Sequence, residues 1–195
     1  MAKIKSIKQK SPKHRLTLYI VSDGECCSYT VKGETYALLG SPSVGSELDE
    51  RDIATLKYED ECYRAMRKAL SLLEASDKSS RLLASRLTMA GFSRDAVEDA
   101  VEECKRLGYV DDGRLLLRLV EREANGSLRG RFYIQRKLLT KSFSRAEINR
   151  AIDALTESGE VDFDANFRLL CEKRGVTDEE EMNALAYKFG YRLYH

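Results

Sequence analysis

The sequence predicts an all-α protein: tandem three-helix, helix-turn-helix-like modules in a curved array, with a small β-hairpin at the amino-terminal end. Three observations carry this. Near Glu47 the hydrophobic period changes from two residues to the helical value of roughly 3.6. The helical part repeats itself. With 2 prolines and 33% charged residues among 195, little interrupts a helix, while 43% hydrophobic residues suffice for a sizeable core.

Residues 1–14 carry Lys3, Lys5, Lys8, Lys10 and Lys13 with no acid and are expected as a basic, disordered tail. From Arg15 to Ser22 the apolar Leu16, Leu18 and Ile20 alternate with Thr17, Tyr19 and Val21, the period of a strand. Asp23-Gly24 supplies a hairpin turn, Cys26 to Val31 the returning strand, and Thr35 to Leu39 a further short piece before Gly40-Ser41-Pro42. So small a sheet must lean on a helix.

From Glu47 onward Tyr58, Cys62, Ala65, Ala69 and Leu72 form one apolar stripe. A second helix carries Leu82, Leu83, Leu87 and Ala90 and stops at Gly91. Ser93 caps a third, with Val97, Val101, Cys104 and Leu107, that stops at Gly108. Sliding the chain so that Phe92 lies over Phe143 aligns Leu83 with Ile134, Leu87 with Leu138, Val97 with Ile148, Val101 with Ile152, Cys104 with Leu155, Val110 with Val161 and Leu119 with Leu170. Ser144 with Glu147, and Thr177 with Glu180, read as capping boxes, and Gly190-Tyr191 echoes Gly91-Phe92. The expected organisation is a tail over 1–14, a hairpin extension over 15–46, and helical modules over 47–109, 110–160 and an abbreviated 161–195, each packing on its neighbour.

Enzymatic readings fail on the inventory. His14 and His195 are the only histidines, so no Ser-His-Asp or Cys-His pair is expected. There is no GxxxxGK[ST] phosphate loop. Cys26, Cys27, Cys62, Cys104 and Cys171 are an odd set without a CxxC pair, which argues for reduced thiols and against a zinc site; Cys62, Cys104 and Cys171 are expected in the core. Asp111-Asp112 lacks a second ligand cluster, and Asp111 is placed to cap a helix starting near Gly113. No cofactor and no metal are expected. No apolar run approaches the roughly 20 residues of a membrane helix, and Met1 to Lys10 lacks the core of a secretion signal, so a cytoplasmic location is expected.

A formal net charge of +1 conceals segregation. Residues 93–112 carry Asp95, Glu98, Asp99, Glu102, Glu103, Asp111 and Asp112, after which Arg129, Arg131, Arg136, Lys137, Lys141 and Arg145 concentrate positive charge on and beside one helix. Such a concentration suits a polyanion, and these six are the candidate binding residues.

The stretch Leu107-Gly108-Tyr109-Val110-Asp111-Asp112, the segment Arg136, Lys137, Leu138, Leu139 and Lys141 before Phe143, the Asp23-Gly24 hairpin and the Val44-Gly45-x-Glu47-Leu48 entry together resemble the RecX family over residues 15–195. The chain departs from the family pattern in three respects. Glu74 to Ser79 lacks the arginines usual there, the third module is abbreviated, and Ser142 stands where glycine is typical. The resemblance implies a non-enzymatic modulator of RecA that lies along the RecA–DNA filament, bridges subunits and inhibits or tunes ATPase, recombinase and strand-exchange activity. Its implied setting is homologous recombination, DNA repair and the SOS response. The implied partners are the RecA filament and single- and double-stranded DNA, bound without sequence preference by a monomer. The competing reading is a helix-turn-helix transcription regulator, against which the third helices offer mainly acids and core residues rather than base-reading side chains.

Overall fold

The structure, a computed structural model, describes residues 2–10, 15–22 and 24–191. It is mostly helical, with a small antiparallel sheet at the amino-terminal end. Asp23 of the expected turn, His14 and His195 lie outside the described residues.

The sheet has four strands in the order β3-β2-β1-β4, namely β1 (Ala2–Lys10), β2 (Arg15–Ser22), β3 (Glu25–Lys32) and β4 (Glu47–Leu48). The lysine-rich segment expected as a disordered tail is therefore a strand over residues 2–10. Its apolar residues are masked by charge and by an irregular spacing. Ala2 and Ile4 are buried and Ile7 is half-buried, and a register shift between Ile4 and Ser6 brings Ile7 opposite buried Leu18. A bulge of this kind resets the alternation that a sequence reading relies on. Leu18, Ile20, Val31 and Leu48 complete the core face, closed by Leu56 of the first long helix. The outer edge of β3 is guarded by that helix, whose Asp60 accepts a hydrogen bond from the Thr30 amide at 2.8 Å.

The segment expected as a further strand near Thr35 is a short helix, α1 (Gly33–Leu38). Its turn brings Tyr36 and Leu39 together onto the sheet core, Tyr36 is tethered by its hydroxyl to the Pro42 carbonyl at 2.7 Å, and Gly40 at φ +77° ends it.

The helices that follow are α2 (Glu50–Ala75), α3 (Ser80–Met89), α4 (Arg94–Arg106), α5 (Asp112–Glu121), α6 (Arg131–Leu139), α7 (Arg145–Glu157), α8 (Phe163–Arg174) and α9 (Glu179–Phe189). One π-helical turn, Arg122–Gly126, extends α5. In α2 the buried side chains are Leu56, Ala65 and Ala69. Tyr58, expected in that stripe, lies at its margin and donates to Asp99 of α4 at 2.8 Å, which raises the phenol pKa. Cys62 is half-buried beside the same carboxylate, whereas Cys104 and Cys171 are buried, and desolvation raises the pKa of all three thiols. Leu107, expected in the third helix, follows its last residue and is exposed. No helix among the described residues is long and apolar enough to cross a membrane.

The internal repeat is expressed in burial. Each residue in the seven pairs from Leu83 with Ile134 to Leu119 with Leu170 is buried, and of the pair that sets the register Phe143 is buried and Phe92 half-buried. Its helix starts share a device as well. Ser144 gives both its amide and its hydroxyl to Glu147, completing the expected capping box. At Ser93 the position three residues on is alanine, and the carboxylate comes instead from Glu61 of α2, at 2.7 and 2.9 Å. Ser80 uses Asp112 in the same way, which assigns the second acid of the Asp111-Asp112 pair, while Asp111 caps α5 by accepting from the Arg114 amide. The box expected at Thr177 and Glu180 does not form. Asp178 caps α9 instead, accepting from the Glu180 and Glu181 amides, with the advantage of a formal negative charge at the helix start.

By contacts the chain divides into two units, Met1–Ala75 with Ala84–Arg106, and Ser76–Leu83 with Leu107–His195. The second holds the candidate basic residues. Its core is built from Leu116 and Val120 of α5, Ile134 and Leu138 of α6, and Ile148, Ile152 and Leu155 of α7. A further cluster joins Leu128 to Phe167, Leu170, Ala186 and Phe189 of α8 and α9.

Candidate functional site

The basic helix α6 is fixed at one face and at its start. Ile134 and Leu138 are fully buried, while Phe132, Arg136 and Leu139, spaced by four and three residues, are exposed on the other side. The first amides of a helix lack internal acceptors. Here the carbonyl of Phe189, at the end of α9, accepts from the Gly130 amide at 2.9 Å, and that of Gly190 accepts from Phe132 at 3.0 Å. The contact is close enough that two glycines are required. A methyl group on Gly130 would lie 2.3 Å from the Gly190 oxygen, and one on Gly190 would lie 2.4 Å from the Tyr133 amide nitrogen.

The six candidate cations fall into two classes. Arg129, Arg131 and Lys137 have intramolecular partners. The Arg129 guanidinium lies 4.4 Å from the centre of the Tyr133 ring and 4.3 Å from that of Phe189, so it cements the α6–α9 contact. Arg131 pairs with Asp153 of α7 at 2.7 Å. Lys137 reaches both oxygens of Glu123 at 2.8 Å, and Glu123, in the π-helical turn, has a side chain only 4% exposed. A carboxylate so buried is tolerated only with such a partner. Its backbone carbonyl also accepts from the Arg129 amide at 2.9 Å, so one residue ties the turn to α6 twice.

Arg136, Lys141 and Arg145 form the second class: no ion pair engages them among the described residues, and Arg136 has only the Tyr133 ring, 6.0 Å from its guanidinium, as a partner. Arg136 and Arg145 are exposed and Lys141 is half-buried. Arg145 opens α7, where the helix dipole is also positive, so its charge adds to the local potential rather than cancelling it. Three of the six expected residues thus lie on or beside α6 and at the start of α7 without an ion pair among the described residues, while Arg131 and Lys137 are ion-paired and Arg129 stacks on Tyr133 and Phe189.

Sequence reasoning missed a second set. Arg114, Arg118 and Arg122 follow one another at intervals of four residues along α5 and its π-helical extension, a spacing visible in the sequence but obscured by the leucines between them. Arg118 and Arg122 border a groove of about 460 Å³ whose far wall carries Lys141. Three of the five acids of α4 are by contrast matched within the same helix, by Arg94 to Glu98, Lys105 to Glu102 and Arg106 to Glu103, and Asp99 accepts from Tyr58.

No protein-family model matches the chain. Curated proteins do. It is 24% identical over 195 residues to the regulatory protein RecX of Clostridium beijerinckii, covering 100% of this chain and 87% of that protein. It is 23% identical over 182 residues to that of Clostridium tetani, covering 93% and 82%. To the regulatory protein RecX of Clostridioides difficile it is 28% identical over 131 residues, which is 67% of this chain and 59% of that protein. A crystal structure of a regulatory protein RecX superposes with a TM-score of 0.65 at 21% identity, covering 94% of this chain and 89% of that one. The chain belongs to the RecX family. A second RecX crystal structure, from Lactobacillus salivarius, shares the fold with a TM-score of 0.56 at 15% identity over 69% of this chain. The match to the C. difficile relative spans less than two thirds of that relative's length. The relatives it matches are named as regulatory proteins, and the cationic surface of this chain is the feature that calls for a function.

Proposed function

We propose that this RecX-family chain binds a RecA recombinase filament on DNA and inhibits its ATPase and strand-exchange activities, as a cytoplasmic monomer that catalyses no reaction and needs no cofactor. The observation that carries the reading is the set Arg136, Lys141 and Arg145, which stand without ion-pair partners among the described residues while their neighbours are committed to internal contacts. Guanidinium and ammonium groups so placed hold phosphates without reading bases, each contact adding salt dependence rather than sequence preference. Binding of this kind acts by differential affinity, favouring the filament conformation that the bound protein fits best.

The test is DNA-dependent ATP hydrolysis by the cognate RecA during titration with the wild type and with an Arg136→Ala, Lys141→Ala, Arg145→Ala variant. These residues are chosen because replacing Arg131 or Lys137 also breaks ion pairs that hold α6. The expected result is inhibition at substoichiometric wild-type protein and little or none with the variant. If the wild type leaves the rate unchanged and does not sediment with the filament at low salt, the reading is wrong. A defined operator footprint would replace it with a transcription regulator.

A further inference from the structure

Three arginines on one helix face, above a hydrocarbon floor, describe a site that the filament reading does not use. Arg114, Arg118 and Arg122 rise along α5 in steps of about 6 Å. All three are exposed. Beneath Arg118 and Arg122 the groove is floored by buried Leu115, Leu119 and Phe143, with Leu82 half-buried beside them. Arg114 borders its continuation, which shares Leu115 and Arg118 with it. The groove already holds a carboxylate, because Asp77, in the link between α2 and α3, is ion-paired with Arg118.

We propose that this groove receives an acidic amphipathic segment of a protein partner, its apolar side chains on the leucine and phenylalanine floor and its carboxylates on the arginine row. Charge complementarity and floor chemistry select this occupant. Asp77 shows that a carboxylate fits the row, and it occupies Arg118 until a partner's carboxylate replaces it. A nucleic-acid backbone would leave the hydrocarbon floor unused and would face Asp77 and Asp111 at close range. The three arginines of the proposal lie outside the cationic set used for the filament reading, and Lys141 of that set lines the same groove.

The experiment is fluorescence anisotropy with the full-length chain and three labelled probes. One is a short helical peptide with leucines along one face and glutamates flanking them, the second replaces those leucines with serine, and the third is an oligothymidylate. The leucine peptide is expected to bind roughly tenfold tighter than the serine peptide, and the Arg114→Ala, Arg118→Ala, Arg122→Ala variant to lose that binding by about tenfold or more. Asp77→Ala is expected to tighten it by releasing Arg118. Circular dichroism of the variants, whose replaced side chains are exposed, establishes that they fold. Equal affinity for the two peptides overturns the proposal, as does undiminished peptide binding by the triple variant, or oligothymidylate binding that exceeds the peptide's and is lost in that variant. Absence of RecA inhibition by the wild type, with peptide binding intact, would count against the filament reading alone.

Discussion

Ser142 holds its backbone at φ +66°, in the left-handed region, at the position that the internal repeat aligns with Gly91 at φ +88°. A non-glycine residue there costs about 1 to 2 kcal/mol, part of which a glycine returns through the greater freedom of the unfolded chain. Ser142→Gly is therefore expected to raise stability by about 1 kcal/mol, read as a higher urea midpoint with an unchanged slope. Next to it, hydrogen bonds from Ser144 and the Arg81 guanidinium at 2.9 Å lower the Glu147 carboxyl to a pKa of about 2. Because the folded value lies below the ordinary 4.5, the stabilisation is complete above the unfolded value and fades as pH falls through the folded one. Urea melts between pH 5 and pH 2 are expected to show a steeper loss in the wild type than in Glu147→Gln. At this scale the sequence was informative where periodicity governs. Apart from half-buried Phe92, the apolar positions paired in the repeat are buried because hydrophobic side chains at matching helical offsets have one place to go. The fates of Arg131 and Lys137 were hidden, since their partners Asp153 and Glu123 are brought near only by folding.

Helices α6 and α9 meet end to start, an arrangement in which the free carbonyls of one element satisfy the free amides of another. Gly130 has φ −78°, which any residue adopts, so alanine there is a purely steric test. Backbone atoms at 2.3 to 2.5 Å cannot yield as a flexible side chain would. Gly130→Ala is expected to cost about 2 to 3 kcal/mol in chemical denaturation. Gly126→Ala, whose methyl would meet only the Arg122 side chain at 3.8 Å, is expected to change stability by less than about 0.5 kcal/mol. Elements were legible where one period persists, as in α2 to α4, and misread where it does not. The bulge in β1 disguised a strand as a charged tail, and α1 was too short for a helical period to declare itself.

Across the molecule a net charge of +1 conveys nothing about function until the pairs are assigned. Three of the five acids of α4 are matched by their own helix, and two of the six expected basic residues, Arg131 and Lys137, are ion-paired from within. If Arg136, Lys141 and Arg145 each neutralise one phosphate, the plot of log affinity for DNA against log salt should flatten by roughly 2 to 3 in the triple alanine variant, and its intercept at high salt should change little. An unchanged slope would remove these residues from the DNA interface. The basic segment was legible from composition, but which of its charges are available depended on tertiary pairing.

The junction of α9 with α6 also sets a timetable. Gly130 is translated 60 positions before Gly190 (190 − 130), so at ribosomal rates of about 5 to 20 residues per second α6 waits roughly 3 to 12 s for the carbonyls that complete its first turn. During that interval the nascent chain already carries its cationic helix but not the clamp that orients it. An incomplete polypeptide released before Gly190 would therefore carry the charges of the site without its geometry.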